Sequence, residues 1–157
     1  MPHIFLIIGL LALSLAPRVQ AHRGDGFEDC HARATSSMGN DEATRLCTPA
    51  REGFESCFQR ARTSMANTPA VESCIDARAE FEGCYLKASN AMSNEQAVAT
   101  CIPAREGFAP CYPKALPLMS APQAINTCAP AREGFEVCFS RAEGATDGAQ
   151  AVRLCVP

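Results

Sequence analysis

Histidine and cysteine, the residues that most often carry chemistry, do not follow a catalytic or metal-binding spacing in this chain. The sequence has three histidines and ten cysteines, with no His-x3-His or Cys-x2-Cys pair of the kind that holds zinc. The even number of cysteines favours disulfides, which would leave no thiolate as nucleophile or metal ligand. We therefore expect no enzymatic activity, no cofactor and no metal.

One alternative concerns the histidines near the start of the chain. If a leader peptide is removed after Ala21, His22 becomes the first residue, and its amino group and imidazole could chelate Cu(II) together with His31. Two solvated histidines in a flexible segment are the simpler expectation.

A second short segment, Arg23-Gly24-Asp25, has the sequence of the adhesion tripeptide that integrins bind in many secreted ligands. However, Gly24-Asp25-Gly26-Phe27 aligns with Arg51-Glu52-Gly53-Phe54 of an internal repeat, so the acid is expected from the repeat alone. Coincidence is therefore the favoured interpretation, and integrin binding is the alternative.

A third candidate is an arginine that recurs at one position of this repeat, a set that we call the arginine row: Arg51, Arg78, Arg105 and Arg132. Each is predicted to lie in the first turn of a helix, where the helix dipole disfavours a cation. Hydrogen bonds to the carbonyls of the preceding helix, or an ion pair with a glutamate one turn on, would offset this cost; those glutamates are Glu55, Glu82 and Glu136. Alternatively, the arginine row forms a line of cations that binds an acidic or sulfated partner.

The spacing of the cysteines defines the elements that position these residues. Successive cysteines are alternately 17 and 10 residues apart, which gives a period of 27 residues. A fixed period of this length is typical of repeat architectures. We predict a signal peptide at 1–21, a flexible arm at 22–26 and five repeats: 27–53, 54–80, 81–107, 108–134 and 135–157.

Apolar side chains recur at helical intervals within each repeat. In the second repeat they run from Ala50 to Met65, which predicts a helix of four to five turns with Thr48 as N-cap and Pro49 in the first position. A shorter stripe from Ala70 to Cys74 predicts a second helix of about two turns, after a connecting turn at Asn67-Thr68-Pro69. The fold class is therefore all-α, an array of five helical hairpins that is either solenoid-like or a compact bundle.

This geometry selects the cysteine pairing. In each hairpin the two cysteines lie about 10 to 12 Å from the tip, level with each other across the two helices. Pairing across the ten-residue spacing would join residues well beyond the roughly 7 Å that a disulfide allows between Cα atoms. The predicted disulfides are Cys30–Cys47, Cys57–Cys74, Cys84–Cys101, Cys111–Cys128 and Cys138–Cys155.

The fourth repeat departs from the pattern, because prolines fall inside its predicted long helix: Pro110, Pro113 and Pro117. An interior proline costs about 3 kcal/mol, so we expect this helix to be kinked or broken. The junction from Ile75 to Glu80 lacks the usual proline, and either Asp76 is an N-cap there or the two helices run on as one.

A glycine recurs just before the conserved phenylalanine of the repeat, at Gly53, Gly107 and Gly134. Either a neighbouring helix approaches closely there, or the helix proper begins after the glycine and Pro-Ala-Arg-Glu forms a separate turn. An aromatic position four residues after the phenylalanine should pack between helices: Phe58, Tyr85, Tyr112 and Phe139. His31 holds this position in the first repeat, which suggests an exposed end.

The start of the chain and its charge indicate the compartment. The apolar run from Ile4 to Leu15 is too short to span a membrane, and Val19-Gln20-Ala21 resembles a signal-peptidase site. A net charge of −3 argues against nucleic-acid binding, and no second apolar run argues against stable membrane insertion.

These features predict a secreted, non-enzymatic protein that binds an extracellular partner, either a protein or an acidic or sulfated polymer. A structural or protective extracellular component is the alternative, and a carrier of small apolar ligands ranks third.

Overall fold

The structure, a computed structural model, describes residues 26–157. These residues form ten helices and no strand: α1 (Gly26–Ala34), α2 (Asn40–Cys47), α3 (Phe54–Ala61), α4 (Asn67–Cys74), α5 (Phe81–Ala88), α6 (Asn94–Cys101), α7 (Phe108–Ala115), α8 (Ala121–Cys128), α9 (Phe135–Glu143) and α10 (Gly148–Cys155). The prediction of five repeated helical hairpins is thus confirmed.

One disulfide joins the two helices of each hairpin. The five pairs are those expected from the spacing: Cys30–Cys47, Cys57–Cys74, Cys84–Cys101, Cys111–Cys128 and Cys138–Cys155. The Cα atoms of each pair lie 5.5–5.6 Å apart, within the normal range for a disulfide.

The predicted long helix is wrong, because both helices of a repeat have about the same length. In the second repeat α3 begins at Phe54, and Thr48 caps the end of α2, donating its hydroxyl to the carbonyl of Thr44. The N–H groups of Arg51 and Gly53 donate to Ile75 and Ala77 of the next repeat. The segment before Phe54 is instead a tight turn, closed by the hydrogen bond from Phe54 N–H to the carbonyl of Arg51, and α3 begins after it.

The segment between α2 and α3 is therefore a separate turn, as the second account of the glycines anticipated. The first account is right about a close approach but wrong about its source, because a Cβ atom added to Gly53 would lie 2.0 Å from the carbonyl oxygen of Arg78. The close neighbour is the junction of the next repeat rather than a helix. The predicted turn at Asn67-Thr68-Pro69 is wrong as well, since Asn67 begins α4.

The other irregularities of the sequence are absorbed by this arrangement. The segment 75–80 forms the same turn as the other junctions, with Ala77 N–H donating to Cys74, so neither a continuous helix nor an Asp76 N-cap is present. The fourth repeat is not distorted, since α7 has the same length as α3 and α5. Because α7 begins at Phe108, Pro110 falls in its first turn, where a backbone N–H has no partner within the helix. Pro117 follows the helix, and only Pro113 removes an internal hydrogen bond.

The repeats stack in sequence order. Extensive helix–helix contacts occur within a repeat or between adjacent repeats, and α1, α3, α5 and α7 each pack on both helices of the next repeat. This is the contact pattern of a solenoid. Successive junctions are joined by backbone hydrogen bonds, such as Arg78 N–H to Ile102 and Arg105 N–H to Ala129.

The core is built from small side chains and the phenylalanine that begins the first helix of each repeat from the second onward, with Phe58 and Phe139 also buried. Phe54, Phe81, Phe108 and Phe135 are at most 2% exposed, and the buried residues around them are mainly alanine and cystine. None of the ten helices in residues 26–157 is long and apolar enough to cross a membrane.

Candidate functional sites

The arginine row lies along the edge that carries the junctions between repeats. Burial, together with the positive charges of Arg51 and Arg105, lowers the pKa of Arg78 from its ordinary value. Asp76 and Glu106 act in the opposite direction and do not cancel this effect. The neighbouring cations of the row are therefore close enough to repel each other.

The ion pairs predicted for the arginine row are not formed. Arg51 Nε lies 3.8 Å from Asp76 Oδ1, an exposed contact that contributes little to stability. Within residues 26–157, no carboxylate lies within ion-pair distance of the other three members of the row: Arg78, Arg105 and Arg132. The backbone N–H groups of the row, rather than its guanidinium groups, carry the hydrogen bonds between repeats.

Two of these glutamates, Glu55 and Glu82, instead pair with a second basic position, at the end of the first helix of the preceding repeat. Arg33 Nη2 lies 2.5 Å from Glu55 Oε1, and Arg60 pairs with Glu82 in the same way. Hydrogen bonding to Glu55 raises the pKa of Arg33, although burial opposes it. Burial raises the pKa of Glu55, but the hydrogen bonds from Arg33 and Gln59 outweigh it, and the net shift is downward.

The same basic side chains lie over the aromatic position of the next repeat. The guanidinium of Arg33 is 5.4 Å from the ring centre of Phe58, that of Arg60 is 5.1 Å from Tyr85, and Lys114 Nζ is 5.5 Å from Phe139. The aromatic side chains at this position, Phe58, Tyr85 and Phe139, therefore pack between repeats, as predicted. His31 is half-buried and lies 3.3 Å from the hydroxyl of Thr44, so it does not mark a fully exposed end.

An asparagine completes the contact between the first three repeats. The side-chain amide of Asn67 donates to the carbonyl of Arg33 and to the hydroxyls of Ser36 and Ser37. Asn94 makes the equivalent bonds to Arg60, Thr63 and Ser64. The corresponding residues in the last two repeats are Ala121 and Gly148, so these bonds are absent there.

A groove of about 400 Å³ opens between α5 and α7, where the repeat departs from its own pattern. Ala109 stands at the position of Glu55 and Glu82, and Gly83 at that of Ser56. The smaller side chains leave space over an apolar floor that includes Phe108, Tyr112, Pro113 and Leu116.

Charged groups lie at two points along this groove. Lys87 occupies the position of Arg33 and Arg60, but in the described part of the chain no carboxylate lies within ion-pair distance of it. Glu80 lies two helical turns before Lys87, at the other end of the groove. The groove can therefore hold an apolar body whose anionic group meets Lys87.

Sequence reasoning missed this groove, although aligning the repeats would have shown it through Ala109 and Gly83. The other candidates cannot be placed, since Arg23-Gly24-Asp25 and His22 lie outside the described residues. Residues 26–157 contain no group of three or more potential ligands that could hold a metal ion. No protein-family model, curated protein or solved structure matches this chain.

Proposed function

We propose that this chain is a secreted, non-enzymatic binding protein that captures an anionic extracellular partner along the arginine row. The observation that supports this function most directly is that the arginine row follows the junctions along one edge of the array, with Arg78 between Arg51 and Arg105, whose positive charges add to burial in lowering the pKa of Arg78. A partner that carries several acidic or sulfate groups would relieve this repulsion and bind several arginines at once.

Five disulfides support the extracellular location, because such bonds persist in oxidising compartments. The disulfides stiffen each repeat, and the backbone hydrogen bonds between successive junctions, from the N–H groups of Arg51, Arg78 and Arg105, set the spacing of the arginine row. A rigid surface loses little conformational entropy when it binds a partner.

Heparin, a sulfated polymer, is a suitable probe for this surface. We expect the chain to be retained on a heparin column. A variant with Arg51→Glu, Arg105→Glu and Arg132→Glu should elute at clearly lower salt, because the contacts between arginine and sulfate groups are electrostatic. The melting temperature should change little, since none of these three guanidinium groups makes a buried ion pair.

The matched control reverses three exposed basic residues outside the row, Arg45, Arg62 and Arg153. It changes the net charge by the same amount and should elute close to the parent. Equal losses in the two variants would mean that only net charge matters, and unchanged elution of the first variant would refute the proposal.

The groove between α5 and α7 favours a second candidate function, a carrier of small apolar anions. Its volume lies in the range of small-molecule sites, and its lining combines apolar side chains with one unpaired ammonium group. This function does not depend on the arginine row, and a variant of Ala109 tests it separately, as described in the Discussion.

A further inference from the structure

The outer surface of the last repeat keeps the features that other repeats use to bind their successor. We define the C-terminal face by Val137, Arg141 and Leu154, on α9 and α10. Val137 is 58% exposed and Leu154 is 62% exposed. Leu46, the counterpart of Leu154 in the first repeat, is half-buried against the core.

The cysteines show the same difference. The eight cysteines of the first four repeats are fully buried, whereas Cys138 and Cys155 are half-buried. Cys30 and Cys47 of the first repeat are fully buried although only one neighbouring repeat covers them. The covering layer is therefore the following repeat, and no part of residues 26–157 supplies it for the fifth repeat.

The polar groups of this face also match the internal contacts. Arg141 holds the position of Arg33 and Arg60, which pair with a glutamate of the next repeat. It is exposed, and among residues 26–157 no carboxylate lies within ion-pair distance of it. A terminal repeat that closes an array usually presents a polar outer face, and this face instead presents two apolar side chains around a cation.

The first repeat carries the complementary set. We define the N-terminal face by Glu28, His31 and Asn40, which hold the positions of Glu55, Phe58 and Asn67. Glu28 and Asn40 are exposed, and no side-chain hydrogen bond of either is formed among the described residues. These are the residue types that contact the preceding repeat wherever one is present.

We infer that two copies of this chain associate head to tail, the C-terminal face of one copy packing on the N-terminal face of the next. Arg141 then pairs with Glu28 of the second copy and lies over its His31, as Arg33 does with Glu55 and Phe58. Asn40 of the second copy donates to the carbonyl of Arg141. Because the two faces differ, the contact cannot be completed in a two-fold dimer, and each added copy presents a further free face, so assembly continues beyond the dimer.

The hydroxyl groups that accept from Asn67 and Asn94 are missing at this contact. Gly144 and Ala145 replace the pair Ser36 and Ser37, so the asparagine retains only its bond to the carbonyl. The association should therefore be weaker than the internal contacts and reversible on dilution.

The test is sedimentation velocity over a range of concentrations, with the chain produced from its full sequence in a secreting host. We expect species larger than a dimer that grow with concentration. Replacing Val137 and Leu154 by glutamate should weaken association at least about tenfold, since both side chains lose their burial. The matched control is Leu86→Glu, which changes a 51% exposed leucine on α5, away from both faces.

Charge exchange tests the pairing of the two faces. Arg141→Glu and Glu28→Arg should each reduce association, because like charges then meet at every contact. Mixing the two variants, or combining both changes in one chain, should restore it. The inference is overturned if the chain stays monomeric at all concentrations, or if association stops at the dimer. It is also overturned if the two charge variants lose association and mixing them does not restore it. Circular dichroism and disulfide mapping confirm that the variants are folded.

Discussion

At the scale of single residues, the junctions between repeats leave no room for a side chain at one position. A Cβ atom on Gly53 would lie 2.0 Å from the carbonyl oxygen of Arg78, and one on Gly107 would lie 2.2 Å from that of Arg132. Both contacts are with backbone, which cannot rotate away. Glu80 holds this position in the second repeat, and of the three junctions only the one at Gly53 forms the backbone hydrogen bond from this position to the next junction, to Ala77.

We therefore predict that Gly53→Ala lowers the free energy of unfolding by about 2 kcal/mol or more, because the neighbouring junction must move. The matched control is Gly83→Ala, inside α5, where only the flexible end of Glu80 lies near, at 3.2 Å. This change should raise stability by up to about 1 kcal/mol, the difference in helix propensity. Urea denaturation of both variants measures the two effects, and equal effects would contradict the close approach at Gly53.

At the scale of helices, the contact between α5 and α7 differs from those before it because four positions change together. Ala109 removes the glutamate, Gly83 removes a polar side chain, and Pro113 and Leu116 add apolar surface. The earlier repeats show what the groove replaces. At the α1–α3 and α3–α5 contacts, the ion pairs Arg33–Glu55 and Arg60–Glu82 lie at the position that the groove takes between α5 and α7.

Restoring the glutamate tests whether the groove binds an apolar anion. The fluorescent probe anilinonaphthalene sulfonate, an aromatic anion, should bind the parent chain, and Ala109→Glu should reduce its affinity at least about tenfold by pairing with Lys87 and filling the groove. Ala79→Glu, at an exposed junction position, adds the same charge as a control and should leave binding unchanged. Probe binding that survives Ala109→Glu would place the probe elsewhere, for example on the exposed apolar C-terminal face.

At the scale of the whole molecule, stability depends on the disulfides as much as on burial. Helices of two turns do not form alone in water, and the core consists largely of alanine, cystine and phenylalanine. In the chain-entropy model, closing each 16-residue loop contributes about 3 kcal/mol. Because contacts join only adjacent repeats, loss of an internal disulfide should affect more of the array than loss of a terminal one.

We predict that replacing Cys57 and Cys74 by serine lowers the free energy of unfolding by about 2–5 kcal/mol and separates the unfolding of the flanking repeats. Replacing Cys138 and Cys155 should leave the first four repeats folded. Hydrogen exchange, read repeat by repeat, distinguishes the two variants. The same protection pattern in both would show that the array unfolds as one unit, whichever disulfide is lost.

The amino-acid sequence by itself determined the number of repeats, the two helices of each repeat and the disulfide pairs. These features follow from local quantities: the period of 27 residues, the 3.6-residue spacing of apolar side chains and the reach of a disulfide. They hold however the repeats stack, because each is set within one hairpin or repeated identically in all of them.

Only the tertiary structure decided where the helices begin and which charges meet. The segment from Pro49 to Gly53 forms the junction, where the N–H groups of Arg51 and Gly53 bond to the next repeat, and α3 begins after it at Phe54. Glu55 pairs with Arg33 of the preceding repeat rather than with Arg51, because stacking brings Arg33 over it. The α5–α7 groove and the exposed C-terminal face likewise depend on how each repeat packs on the one before it. These contacts are made between repeats, and the periodicity within one repeat does not encode them.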